Sequence, residues 1–137
     1  MQRIVYNNPD GSIAIVIPSG IIPIEEVLKK DVPDDCKASA IIVPESEILT
    51  DRTFRNAWEL KNKKIRINID KAKEIHKNKL RAKRIILLQE LDAEYIRALE
   101  EGKSTKEITD KKYILRNITI EVDKCNTIEE IQNIKIG

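Results

Sequence analysis

The sequence predicts an α+β protein in two parts, a small unit with β-hairpins over residues 1–69 and a helical hairpin with a short last helix over residues 70–137. Three observations lead to this prediction. Segments rich in β-branched residues flank turn residues in the first part. A stretch of some thirty residues without Pro or Gly opens the second part, and pairs of residues with capping-box spacing then mark further helix starts.

The first fifty residues predict a ββαβ unit. RIVY at residues 3–6 and SIAIVIP at residues 12–18 flank Pro9-Asp10-Gly11, where Pro presets φ and Gly accepts a positive φ, so we expect a hairpin. Residues 23–33 predict a short helix, because an early Pro costs no hydrogen bond and the two Glu that follow suit the helix dipole. A third strand is expected at residues 40–43.

The stretch DRTFRNAWELKNKKIRINID at residues 51–70 holds the only Phe and the only Trp of the chain. Its three isoleucines alternate with polar residues, which is the period of a half-buried strand, so we expect a second hairpin around the polar KNKK. An alternative stays open, a helix with Thr53 as its N-cap. In that helix Phe54 and Trp58, four residues apart, would share a face.

Phe54 and Trp58 are expected to be structural. Aromatic residues make up only 4% of the chain, so the core must be mostly aliphatic. An isolated large aromatic side chain is then more readily part of the core than of a ligand site. We expect this pair to be buried and to join the N-terminal unit to the long helix, with Arg52 and Arg55 paired to acidic residues.

Residues 70–102 predict one long helix that starts at the N-cap Asp70 and ends at Gly102. Some thirty helical residues span about 45 Å, longer than a domain of this size needs. One broad apolar stripe of this helix would pack against the returning helix, and a second stripe would remain available for contact with another partner. We therefore predict self-association through this second stripe. Its members are Ala72, Ile75, Ala82 and Ile86. The competing account is a monomer in which the N-terminal sheet covers them.

Two capping-box patterns predict the remaining helices. Ser104 with Glu107 opens the returning helix, and Thr127 with Glu130 opens the short last one. The long helix and the returning helix would form an antiparallel helical hairpin.

Basic residues are concentrated in one segment. Residues 61–84 carry eleven Lys and Arg against two acidic residues, whereas residues 1–60 have a net charge of −4 and residues 85–137 of −3. Such a segment can contact phosphate or an acidic partner, or it can be a solvated helix start that pairs with acidic parts of the same chain or a second copy. The candidate contacts are Lys63, Lys64, Lys71, Lys77, Arg81 and Arg84. No aromatic residue lies among them for base stacking, so nucleic acid is the alternative hypothesis.

The inventory of reactive residues argues against an enzyme. His76 is the only histidine, and without a second one no Ser-His-Asp or Cys-His set can form elsewhere. Cys36 and Cys125 follow no metal or redox spacing, which favours free thiols in a reducing compartment. No glycine-rich loop cradles phosphate. We expect no catalytic residue, no metal site and no cofactor, and no apolar run is long enough to span a membrane.

Residues 51–118 resemble a known class of proteins. The segments DRTFRNAWEL, IDKAKEIHKNKLRAKR, LLQELDAEYIRALEEG and ILRNI are similar to a small protein of tailed phages and prophages, encoded near tail genes. The later part is also similar in layout to tail-fibre assembly chaperones, which pair an R-x-x-LL-x-x-x-D helix with an LR-[ND]-I helix. The resemblance implies a non-enzymatic virion or tail-assembly protein. Its partners would be further copies of itself or another tail or virion protein, in the cytoplasm of a bacterial host or in the phage particle.

Overall fold

A computed structural model describes residues 1–136 and shows an α+β protein with two compact units, which divide between residues 68 and 69. The first unit contains β1 (Gln2–Asn7), β2 (Ile13–Val16), α1 (Ile24–Asp31), β3 (Ile41–Pro44), β4 (Trp58–Lys61) and β5 (Lys64–Ile67). The second contains α2 (Ile69–Glu100), α3 (Lys106–Asp123) and α4 (Ile128–Asn133). The predicted fold class, a ββαβ unit and a second hairpin followed by a long and a returning helix, is confirmed.

The first three strands form an antiparallel sheet in the order β2-β1-β3. The predicted turn at Pro9-Asp10-Gly11 joins β1 to β2, and Gly11 takes the positive φ of 86° that favours glycine here. Asp10 stabilises the turn, because its carboxylate accepts a hydrogen bond from the backbone N–H of Ser12 at 2.9 Å.

Both faces of this sheet are covered within the first unit. Successive residues of a strand point to opposite faces. Accordingly, Ile4 packs with Val27 of α1 on one face, while its neighbour Val5 packs with Val43 and Trp58 on the other. The buried core is mostly aliphatic and includes the aromatic side chains of Phe54 and Trp58.

A second two-stranded sheet, β4-β5, follows the 3₁₀ turn at Arg55–Ala57. The alternative of a helix starting at Thr53 is wrong. The Thr53 hydroxyl donates to the Asp51 carboxylate at 2.6 Å, and Trp58 lies opposite Ile67 in the strand pair. The connecting turn places Asn62 and Lys63 at φ values of 54° and 61°, the two positive values that a type I′ hairpin turn requires.

The second unit is built on α2, which contains 32 residues. It begins at Ile69, so Asp70 lies in its first turn instead of at the predicted N-cap position. A carboxylate in the first turn still interacts favourably with the positive end of the helix dipole. The predicted end at Gly102 is confirmed. Gly102 has φ 68°, and the N–H of Lys103 donates to the carbonyl of Ala98 at 2.8 Å, as in a Schellman motif.

The two shorter helices pack on α2. The predicted capping box of α3 does not form, because the N-cap is Thr105 and the Ser104 hydroxyl accepts from the N–H of Lys106 instead. The cap of α4 is present. The Thr127 hydroxyl accepts from the N–H of Glu130 at 3.1 Å, and the Glu130 carboxylate accepts from the backbone N–H of Asn126 at 2.6 Å.

Candidate functional site

Phe54 and Trp58 are buried, with 2% and 0% of their surfaces exposed, as the sequence predicted. Trp58 packs with Val5, Ile13 and Val43, all of the first unit. These contacts make the indole part of the unit's own core. The expected link from this pair to the long helix stays a prediction.

Arg52 and Arg55 contact the indole of Trp58. Their guanidinium carbons lie 5.7 Å and 4.7 Å from the centroid of the ring. Arg55 also donates a hydrogen bond to the carbonyl of Ile13 at 3.0 Å. The Trp58 ring and the Ile13 carbonyl thus take the place of the expected acidic partners. Such contacts are favourable because a guanidinium is weakly hydrated and its flat face stacks well on an indole. Partial burial, and then the nearby charge of Arg52, lower the pKa of Arg55.

These two arginines line a concave site of about 300 Å³, which we call the arginine pocket. Its lining consists of Arg3, Ile15, Ile17, Glu45, Ile48, Arg52 and Arg55. Arg3 and Glu45 form an ion pair across 3.2 Å. The pocket therefore combines three guanidinium groups, one carboxylate and an aliphatic wall. The aromatic residues and Arg52 and Arg55 were singled out in the sequence, but Arg3 and Glu45 were missed. Only the pairing of β1 with β3 brings Arg3 near Glu45, the residue that follows β3.

The residues of the predicted self-association stripe differ in how far they are exposed to solvent. Ala72 is fully buried and Ile75 is half-buried, whereas Ala82 and Ile86 are exposed. Only the second half of the stripe is therefore available on the surface of the described chain.

Beyond Ala82 the exposed apolar surface of α2 continues along residues that the sequence analysis did not group. Ile85, Ile86 and Ile96 have 57%, 60% and 57% of their surfaces exposed. We call the following set the outer face: Ala82, Ile85, Ile86, Gln89, Ala93 and Ile96, all exposed. The buried members of α2 beyond its first turn, Leu80, Leu91 and Ala98, lie on the opposite side of the helix. The missed signal was the spacing of positions 82, 86, 89, 93 and 96, which alternates between four and three residues.

The basic segment contributes several side chains to contacts within the second unit. Lys77 binds Glu74 at 2.7 Å and Asp123 at 2.8 Å, and Arg84 donates to the carbonyl of Arg116 at 3.2 Å. The bonds from Asp123 and Glu74 raise the pKa of Lys77, and Lys77 lowers the pKa of Asp123. These cations therefore hold α2 against α3.

The other candidate contacts are divided between the two units. Arg81 lies 3.9 Å from a Glu74 oxygen and donates to the Asn78 side chain at 2.8 Å. Lys63, Lys64 and Lys71 are exposed.

The reactive residues have structural contacts. A ring nitrogen of His76 lies 2.7 Å from the carbonyl oxygen of Ile134. Cys36 and Cys125 are buried free thiols, and burial raises the pKa of both. Within residues 1–136, no group of three or more His, Cys, Asp and Glu side chains could hold a metal ion. None of the helices in this part of the chain is long and apolar enough to cross a bilayer.

Comparison of the chain with models of known protein families, with curated proteins and with solved structures finds no match. The functional proposal therefore depends on the surfaces described above and on the sequence resemblance of residues 51–118.

Proposed function

We propose that this protein is a non-enzymatic assembly or structural component that acts through protein–protein contacts and self-associates through the outer face of α2. The observation that carries the proposal is the row of exposed isoleucines, Ile85, Ile86 and Ile96, on the water-facing side of the helix. The setting that we propose is the assembly or structure of a tailed-phage particle. This setting is supported by the sequence resemblance alone.

The outer face suits a second helix. Alternating spacings of four and three residues place side chains along one seam, as in a coiled coil. Exposed β-branched side chains contribute little to an isolated helix, so their number here is better explained by burial against a partner. Ala82 and Ala93 stand next to the isoleucines and leave room for a close approach of the partner backbone.

Charge complementarity indicates a second copy in antiparallel orientation as the partner. The first half of α2, residues 69–84, carries seven basic and two acidic side chains, and the second half, residues 85–100, carries four acidic and one basic. A two-fold axis across the helix sets the basic half of each copy against the acidic half of the other. A parallel pair would set like charges side by side. In an antiparallel pair whose axis passes near the middle of α2, Lys83 comes close to Glu90 of the second copy.

Sedimentation velocity of the full chain tests this proposal. We expect the wild type to be a dimer and Ile86→Glu/Ile96→Glu to be a monomer, because four buried carboxylates would have no partner in the seam. The matched control is Ile21→Glu/Ile22→Glu, which adds the same charge on the exposed surface of the first unit and should remain a dimer. A wild-type monomer at high protein concentration would refute the proposal.

Nucleic-acid binding is the second candidate function. The exposed Lys61, Lys63, Lys64 and Arg66 around the β4-β5 turn favour it. The internal contacts of Lys77 and Arg84 count against it, because they leave fewer cations for phosphate. The affinity for a DNA or RNA duplex would fall steeply with salt concentration, whereas an apolar helix seam tolerates salt.

A further inference from the structure

We propose that the arginine pocket of the first unit binds a carboxylate that belongs to an acidic residue in an apolar segment of another protein. This site lies outside the outer face of α2 and does not depend on self-association. Three features of the pocket support the proposal: its uncompensated positive charge, the prior orientation of its guanidinium groups and its aliphatic wall.

The lining of the pocket has more positively charged than negatively charged side chains. Arg52 and Arg55 both lie against the Trp58 ring, which keeps two like charges near each other. Glu45 is the one acidic residue in the described lining of the pocket, and it forms its ion pair with Arg3. Arg52 and Arg55 therefore have no carboxylate partner within this lining. Arg55 is partly buried beside the exposed Arg52. The two like charges repel each other, and an anion placed between them would relieve this repulsion.

The Arg55 guanidinium is already oriented for binding. The Trp58 ring supports one face, and the hydrogen bond to the Ile13 carbonyl uses one of its five N–H donors. The remaining donors keep the fork geometry that matches the two oxygens of a carboxylate. Because the side chain is held in place beforehand, little conformational entropy is lost when the anion binds.

The remaining wall selects the carrier of the carboxylate. Ile15, Ile17 and Ile48 line the pocket beside the arginines, and Ile17 is 68% exposed. A strongly hydrated free phosphate gains nothing from such a wall, whereas an acidic side chain flanked by aliphatic residues would bury apolar surface there. Glu45 shows that a carboxylate fits against a guanidinium of this pocket, since it reaches Arg3 at 3.2 Å.

Trp58 provides the readout for the test, because it is the only tryptophan of the chain. Its indole N–H gives a single side-chain signal in a ¹H–¹⁵N NMR spectrum of the full chain. The probe is a blocked Leu-Glu-Leu peptide, with Leu-Gln-Leu as the matched neutral peptide and inorganic phosphate as the competing anion. We expect a saturable shift of the signal with the acidic peptide and at least about tenfold weaker binding of the neutral one.

Two variants change the pocket in opposite directions. Arg52→Gln should weaken the binding of the acidic peptide by at least about fivefold, because a charge-assisted contact is lost. Glu45→Gln should tighten it, because it releases Arg3 for the ligand. Lys61→Gln changes an exposed cation outside the pocket and should leave the affinity as it is. Thermal melts of all three variants show whether the fold is retained.

Three results would overturn the proposal. They are a signal that does not saturate with the acidic peptide, an affinity that Arg52→Gln leaves unchanged in a folded protein, and tighter binding of phosphate than of the peptide. The last result would assign the pocket to a phosphate group instead of a carboxylate.

Discussion

Arg55 lies over the indole of Trp58, with its guanidinium carbon 4.7 Å from the ring centroid, and donates a hydrogen bond to the carbonyl of Ile13 at 3.0 Å. This relationship ties the 3₁₀ turn before β4 to the first strand pair. The sequence analysis expected Arg55 to pair with an acidic residue, but its contacts instead join two parts of the first unit. Arg55 also lines the arginine pocket.

Removing this guanidinium should cost stability. We expect Arg55→Ala to lower the free energy of unfolding by about 1–3 kcal/mol, because it removes the stacking on Trp58 and leaves the Ile13 carbonyl without this donor. Arg52→Ala is the matched control; Arg52 is exposed and lies 5.7 Å from the ring, so its effect should be smaller. Urea unfolding measures both, and equal effects would contradict the role given to Arg55.

Trp58 should be the most sensitive position of the first unit. Trp58→Ala removes a side chain with no exposed surface and should cost about 3–5 kcal/mol in unfolding free energy. Trp58→Phe should cost less, because it keeps a ring in the core and removes an indole N–H that is buried without a hydrogen-bond partner. An unchanged melting temperature of Trp58→Ala, together with loss of partner binding, would show that the residue serves a ligand site instead of the core.

The β4-β5 turn offers a stabilising substitution. Lys63 has φ 61°, a conformation in which a side chain is unfavourable, so Lys63→Gly should raise the free energy of unfolding by about 0.5–1 kcal/mol. Lys64→Gly, one residue later within β5, should lower it, because glycine weakens a strand. Chemical denaturation of the two variants checks the prediction, which fails if both changes have the same sign.

Acid should weaken the contact between α2 and α3. Lys77 lowers the pKa of Asp123 below the ordinary 3.8, so the carboxylate stabilises the folded state above that ordinary value. This contribution is lost as the pH falls through the lowered pKa. Asp123→Asn should therefore reduce the loss of stability between neutral and acidic pH, measured by urea unfolding at several pH values. Asp110→Asn, on the exposed surface of the same helix, is the control.

The antiparallel register predicts a charge-swap result. Lys83→Glu should weaken the proposed dimer by placing like charges beside Glu90 of the second copy, and Lys83→Glu/Glu90→Lys should restore it. Sedimentation equilibrium gives the dissociation constants. If the double variant were no tighter than the single one, the proposed register would be wrong even though a dimer could still form.

The sequence by itself determined the kinds of elements in this protein, because their signals are local. The turn at Pro9-Asp10-Gly11, the helix end at Gly102 and the cap at Thr127 each depend on the conformational preferences of a few neighbouring residues. The start of α3 shows the limit of local reasoning. Ser104 and Glu107 have the right spacing for a capping box, yet the chain places Thr105 at the N-cap.

Only the tertiary structure decided which side chains meet and which remain exposed. Arg55 lies 42 residues along the chain from the carbonyl that it binds, and no local pattern predicts such a contact. Ala72 and Ile86 have similar positions in the helical repeat, but one is buried and the other is exposed. The physical reason is that periodicity describes the faces of a helix, whereas burial depends on the elements that pack on each stretch of it.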